Sequence, residues 1–392
     1  MVKQKNSSTE QSRSVPHLRF PEFVDVWDTE TLDNLTERIG DGLHGTPEYV
    51  NDSDIYFING NNLIDGHIQI NETTKKVSAE TFEQNDKNLS DKTLLISING
   101  TIGSVARYYN EKVMLGKSVG YFNFKDNTDF FYYLLNTNNV QNYFISELTG
   151  STIKNLSLKT LRQTKVNFPT LPEQTKIASF LTAVDEKLQA LKKKKSLLEQ
   201  YKKGIMQQLF SQELRFKDDN GNDFPDWEEK KLGEVCNKQS SNISANKIEE
   251  NFGDYIIYGA SGVLKKVDFY EVEEDYISIV KDGAGVGRLL YCKGKSSVLG
   301  TLDIIKPFDL LNTYFLYCLL SNIDFTKYIT GSTIPHIYFK DYRNEDLQLP
   351  CLEEQTKIAN FMSAIDDKIN AVQQQIEKTE VWKKGLLQKM FV

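Results

Sequence analysis

Glu173-Gln174-Thr175-Lys176-Ile177-Ala178 recurs without change as Glu354-Gln355-Thr356-Lys357-Ile358-Ala359, an offset of 181. The same offset carries Thr149-Gly150-Ser151-Thr152-Ile153 onto Thr330-Gly331-Ser332-Thr333-Ile334, Pro169 onto Pro350, Gly204 onto Gly385 and Phe210 onto Phe391. Near the start of each half, Leu18-Arg19-Phe20 matches Leu214-Arg215-Phe216, each followed by a tryptophan, Trp27 or Trp227. The offsets there are 196 and 200, so the halves differ by insertions. Such self-similarity marks an internal duplication, and it has to be recognised before any fold is assigned.

The hexapeptide opens the clearest periodicity in the chain. Apolar residues fall at Ile177, Leu181, Val184, Leu188, Leu191, Leu198, Ile205 and Leu209, alternating four-three steps that trace a heptad seam. The second copy holds the same register with Ile358, Met362, Ile365, Ile369, Val372, Thr379, Leu386 and Met390, and Lys195 occupies the seam position of Ile376. Two helices of about 55–60 Å follow. Each must bury its apolar stripe, either against the other copy as a coiled coil or against its own domain. Strict seams favour pairing.

Before each helix lies a segment mixing short β-rich runs, such as Thr93–Ile98 and Tyr276–Val280, with Gly and Asn turns and an apolar helical stretch, Phe130–Leu148 or Leu311–Ile329. The expected class is α+β: two mixed α/β domains related by duplication and separated by two long helices packed as a coiled coil. The expected boundaries are a disordered polar tail at 1–14, a first domain at 15–170, a spacer helix at 171–211, a second domain at 212–349 and a C-terminal helix at 350–392.

Composition narrows the class. Of 392 residues, 39% are hydrophobic and 26% charged, which suits a soluble globular protein with long exposed helix. No secretory signal is expected from the polar N-terminus, and no apolar run approaches the ~20 residues of a membrane span. Cys236, Cys292, Cys318 and Cys351 form no C-x-x-C pair, so reduced thiols in a cytoplasmic protein are expected.

Several strings imitate active sites. Gly116-Lys117-Ser118 resembles the end of a P-loop, but the required first glycine falls at Glu111. Gly283-Ala284-Gly285-Val286-Gly287 follows a strand, yet the next residues, Arg288 to Cys292, read as another strand and not as the helix a phosphate loop must open. A glycine hairpin is expected there, and likewise at Asn99–Gly103. Asp226 with Glu228-Glu229-Lys230 is too tightly spaced for a nuclease metal site, and the four histidines are scattered. No Pro-Pro dipeptide provides an amino-methyltransferase loop. No active site is expected.

The net charge of −7 disfavours a polyanion until it is divided by segment. Residues 16–170 carry 14 basic and 20 acidic groups and residues 212–349 carry 16 and 23, whereas 171–211 carry 8 and 4. Inside the acidic domains, Lys92, Arg107, Lys112, Lys117 and Lys125 face only Glu111, and Lys281, Arg288, Lys293, Lys295 and Lys306 face only Asp282 and Asp303. These matched stretches suit duplex DNA or a pair of solvated hairpins equally. Lys192–Lys195 reads as a solvated helix face. The loops with Ser151, Thr152, Ser332 and Thr333, and the adjacent Lys159 and Lys340, offer phosphate contacts or a simple connection. Asn61, Asn62, Arg107 and Arg288 are candidate base readers, because Asn and Arg match adenine and guanine edges; turn asparagines are the plainer reading.

The Leu-Arg-Phe start of the Leu18–Phe23 opening, Trp27, the Thr-Gly-Ser-Thr loop and Pro-x-x-x-Glu-Gln-x-Lys-Ile-Ala before a long helix, all repeated across 15–392, resemble the specificity subunit of type I restriction-modification systems. The resemblance implies a non-catalytic subunit whose two target-recognition domains each read half of a split DNA sequence. It implies helices that space those domains and dock two modification subunits, with restriction subunits joining the complex. S-adenosylmethionine, ATP and magnesium are then expected on the partners, and no cofactor on this chain. The unlike interiors, Asp41–Pro47 with Asn59–Asn62 in one domain and Tyr255–Gly262 in the other, imply an asymmetric target. A coiled-coil adaptor without DNA specificity and an enzyme with an unfamiliar site are the competing classes.

Overall fold

The computed structural model describes residues 15–150, 154–309 and 311–392, so the tail expected at 1–14 lies outside the described residues. The chain divides into two compact units, one formed by the chain up to Leu191 together with Gln375–Val392, the other by Lys192–Gln374. Each unit mixes helix and sheet, and their main sheets share one strand order, the first unit adding a small hairpin of Leu63–Ile64 and His67–Ile68.

In the first unit an antiparallel four-stranded sheet runs in the order Thr36–Asp41, Val119–Phe124, Thr93–Ser97, Val105–Arg107. In the second the order is Cys236–Ser240, Leu302–Pro307, Tyr276–Val280, Leu289–Cys292. A three-stranded sheet accompanies each. Ile55–Ile58 pairs antiparallel with Lys76–Val77 and parallel with Val113–Leu115, as Tyr255–Gly259 does with Gly262–Val267 and Ser296–Val298. Both glycine strings join antiparallel strands, as expected. Gly283, Gly285 and Gly287 hold φ of +83°, +86° and +84°, a left-handed backbone that side chains with a Cβ resist.

The expected single helices at Phe130–Leu148 and Leu311–Ile329 are each broken. The first becomes Thr128–Leu135 and Asn138–Ser146, the second Thr313–Leu320 and a short 3-10 turn at Phe325–Tyr328. Local side-chain bonds end the first helix: Asn136 Nδ2 donates to Tyr132 O at 2.7 Å, and the Thr137 hydroxyl caps the next helix. Asn322 and Asp324 do the same in the second unit.

The long helices are Leu171–Phe210 and Leu352–Met390, and their heptad seams are the buried faces. Within the first unit the start of the central helix (Ile177, Leu181, Val184) shares a core with the end of the C-terminal helix (Leu386, Met390, Phe391). Within the second, the end of the central helix (Ile205, Leu209, Phe210) shares a core with the start of the other (Ile358, Met362, Ile365). The helices therefore pair with each other and also pack on the globular segments. Lys195 sits half-buried in the seam and keeps a counter-ion along its own helix, Glu199, at 3.5 Å.

The duplicated hexapeptide has a structural cause. Glu173 is buried and accepts from Arg19 Nε and Nη2 at 2.7 and 2.8 Å and from Trp27 Nε1 at 3.4 Å. Glu354 accepts from Arg215 at 3.2 and 2.7 Å and from Trp227 Nε1 at 3.1 Å. The next residue, Gln174 or Gln355, donates to the carbonyl of Pro169 or Pro350, 2.9 Å in both units. One helical turn thus ties the opening Leu-Arg-Phe segment and the tryptophan to the helix start. A second tie uses a tyrosine and a lysine: Asp185 accepts from Tyr133 at 3.0 Å and pairs with Lys383 at 2.6 Å, while Asp366 accepts from Tyr314 and pairs with Lys202 at 2.6 Å.

Three of the four cysteines lie in the second unit's core. Burial pushes the thiols of Cys236, Cys292 and Cys318 up to about 12, while Cys351 is only half-buried. Since the thiolate is the nucleophile, alkylation of the native chain at pH 8 is expected to modify Cys351 first, with the other three reacting only on unfolding. Peptide mass spectrometry checks this; equal labelling of Cys318 in the native chain contradicts the packing.

Candidate nucleic-acid interface

The same end of the main sheet collects the loops in each unit. In the first, the turn after Thr93–Ser97 meets the stretch before the Leu158–Gln163 helix through Leu156 N to Ile98 O at 2.9 Å. Thr149 and Asn155 exchange backbone bonds of 3.0 and 2.9 Å. The Asn59–Asn62 turn is drawn in by Gly60 N to Ser118 Oγ at 2.9 Å and Thr101 Oγ1 to Gly60 O at 3.1 Å. Between these loops lies a cleft of about 240 Å³ with Ile98, Leu156 and Leu158 as its floor and Asp41, His44, Asn99, Lys117 and Asn155 around it. His44 Nε2 lies 2.8 Å from Asp41 Oδ2.

The second unit repeats the arrangement with other residues. Gly283 N donates to Pro335 O at 2.9 Å, Thr330 and His336 exchange bonds of 2.9 and 2.8 Å, and Arg288 Nη1 donates to Ala260 O at 2.9 Å. The glycine turn, the Ala260 turn and the Thr330–His336 loop therefore meet at one rim.

The sequence candidates divide. Asn61 is exposed on the first rim, and Lys117 there has no ion-pair partner among the described residues. Lys159 is exposed in the adjacent short helix. Ser151 and Thr152 lie outside the described residues. Asn62 is occupied at both ends, accepting from Asn59 N at 2.9 Å and donating to Gln69 O at 2.9 Å. Arg107 closes its strand at the end away from the rim, 2.7 Å from Asp129 and 3.6 Å above the Tyr132 ring. On the second rim Ser332 and Thr333 are exposed, Lys340 sits 5.2 Å from the Tyr338 ring, and Arg288 holds Ala260. Lys281 is neutralised by buried Asp303 at 3.1 Å. Lys293, paired with Asp275 at 3.1 Å, and Lys295, at φ +52°, occupy the turn at the far end of the Leu289–Cys292 strand. The two basic stretches are thus not two patches: a strand sends its ends to opposite edges of the sheet.

Sequence reasoning noted Asp41–Pro47 only as an unlike interior and did not name Asp41, His44, Asn99 or Asn155, or the matching Asp282 and His336, as contact residues. The signal was present in the repeat alignment, where Asn155 maps onto His336 shortly after the constant Thr-Gly-Ser-Thr-Ile run. Among the described residues no group of three His, Cys, Asp or Glu side chains could hold a metal ion, and no helix is long and apolar enough to cross a membrane.

Known proteins share this frame. The model of the type I restriction-modification DNA specificity domain matches residues 26–200 and again 225–380. The MjaIX specificity subunit of Methanocaldococcus jannaschii is 24% identical over 403 residues, covering 93% of this chain and 92% of that one. The MjaVIII specificity subunit of the same organism is 26% identical over 282 residues, 63% and 66% of the two chains. In structure, the S subunit of M. genitalium superposes with a TM-score of 0.67 at 20% identity, covering 96% of this chain and 99% of that one. A chain from a structural study of type I complex assembly gives 0.52 at 15% identity over 93% and 97%. With the family model matched twice along a duplicated fold, the chain belongs to the type I restriction-modification DNA specificity family.

Proposed function

We propose that this chain is the non-catalytic DNA-recognition subunit of a type I restriction-modification complex, each rim contacting one half of a bipartite, asymmetric target. The carrying observation is a constant frame with unlike rims: the Asn59–Asn62 turn, Asn99 and Asn155 in one unit occupy the places of the Ala260 turn, Asp282 and His336 in the other. The backbone pairing and the buried Glu-Arg-Trp ties repeat between the units, while the polar residues that line the two rims do not. Two equivalent docking places for modification subunits are supported by Tyr201 and Trp382, exposed aromatics on the long helices related by the repeat offset of 181. Restriction subunits complete the assembly, with S-adenosylmethionine, ATP and magnesium held by those partners, in the cytoplasm.

The test is to assemble the chain with its modification subunit and S-adenosylmethionine and map methylated adenines on genomic DNA. A split motif with unlike halves and a fixed gap is expected. DNA affinity should fall steeply with salt, and Lys117→Glu should flatten that slope by about one phosphate contact. An adaptor without DNA specificity predicts no motif and a charge reversal without effect; a palindromic motif contradicts the asymmetric target.

A further inference from the structure

Each rim carries a short ladder of three residues. Asn155 bridges Thr149 on one side and Asn99 on the other; His336 bridges Thr330 on one side and Asp282 on the other. Residues directly opposite in antiparallel bridges point to the same face, about 4.5–5.5 Å apart. Each unit thus presents a row of three polar side chains: Thr149, Asn155, Asn99 in the first and Thr330, His336, Asp282 in the second.

The constant member is used up internally. Thr149 Oγ1 reaches Asn155 O at 3.3 Å, and Thr330 Oγ1 reaches His336 O at 3.4 Å. The variable members are not. Among the described residues the side chains of Asn99, Asn155 and Asp282 have no hydrogen-bond or ion-pair partner, and His336 uses only Nδ1, 3.2 Å from Ile334 O. All four are half-buried in bridges whose backbone bonds are 2.8–3.0 Å, so they are positioned without being consumed.

Resting on the DNA-recognition reading above, we propose that Asn99 with Asn155, and Asp282 with His336, are the specificity-determining pairs of the two half-sites. Their chemistry differs in the way two unlike half-sites require. An asparagine offers a donor and an acceptor and matches the adenine edge. Asp282 only accepts, and with Nδ1–H given to Ile334 O the His336 Nε2 accepts as well. That pair suits a base with an exocyclic amino group in the major groove, such as cytosine.

The experiment transplants the second pair into the first unit of the full chain. Asn99→Asp with Asn155→His, and separately the isosteric Asn155→Asp, are assembled with the modification subunit and S-adenosylmethionine, and methylated adenines are mapped. The expected result is a changed base in one half of the motif only, with methylation of the original motif slowed by about tenfold or more, and an unchanged thermal midpoint. An unchanged motif and rate overturns the assignment. A motif degraded in both halves together with a lowered midpoint also overturns it, by giving the row a folding role. If the unaltered chain directs no bipartite methylation, the DNA-recognition reading itself fails, which separates the two failures.

Discussion

Glu354→Ala destabilises the second unit by about 3–5 kcal/mol, the cost of removing one partner from a buried ion pair. Glu354 is fully buried, its partner Arg215 retains partial exposure, and both Arg215 and Trp227 donate to the same carboxylate. The bonds hold the Arg215 guanidinium's pKa above its ordinary value, first through the Glu354 hydrogen bond and against the opposing effect of burial. Without the carboxylate, Trp227 Nε1 is buried with nothing to accept it, and the guanidinium loses its counter-charge. Glu354→Gln keeps the shape and one acceptor but turns an amide N–H₂ toward a cation, so an intermediate loss is expected. Glu173→Ala does the same to the first unit. Urea unfolding followed by tryptophan fluorescence checks this. Two transitions, only one of which moves with each variant, are the expected pattern; a shift under 1 kcal/mol for both alanine variants contradicts the role of this node.

That node shows how far local reading reaches. The hexapeptide marks a duplication and a helix start, and both are legible because identity and 3.6-residue periodicity are properties of contiguous sequence. What Glu173 touches is not: Arg19 lies 154 positions away, and no periodicity links them. The strands on either side of the glycine turns were legible for the same local reason. The break at Asn136-Thr137 was written in the sequence, since both residues favour bonds to their own backbone, but it was outweighed by the apolar run around it. The candidate site was legible only in part. Charges were grouped along the chain, and the fold regroups them by sheet end, retaining Lys117 and Lys159 on a rim while Arg107 and Lys293 pair with Asp129 and Asp275 away from it.

A fragment ending at Ser211 is expected to assemble as a two-fold dimer. In the full chain the first unit is closed by Leu386, Leu387, Met390 and Phe391, and the second by Ile205, Met206, Leu209 and Phe210, the same segment 181 residues earlier. The two closures are interchangeable in detail. Phe391 meets Trp27 edge-on at 6.2 Å and Phe130 at 5.5 Å; Phe210 meets Trp227 edge-on at 6.2 Å and Phe315 at 5.7 Å. Leu18 N donates to Lys389 O at 2.8 Å, and Leu214 N to Gln208 O at 3.0 Å. The fragment therefore holds a Trp27 socket and an Ile205–Phe210 plug. A continuous helix from Leu171 to Phe210, about 58 Å long at 1.5 Å per residue, keeps the plug from its own socket. A second copy supplies it, giving a self-complementary interface. Each plug buries four large apolar side chains at about 1.5–3 kcal/mol apiece, and two plugs give about 12–24 kcal/mol. Association costs about 4–15 kcal/mol, so the plugs offset most or all of it, and burial of the helix seam adds to the balance in favour of the dimer. Light scattering should give twice the fragment's mass, and Phe210→Ala should shift it to monomer while leaving the domain's circular dichroism intact. With the modification subunit, such a dimer should direct methylation to an inverted repeat of the first half-site. A monomeric wild-type fragment would mean that the two closures, for all their matching contacts, are not equivalent in energy.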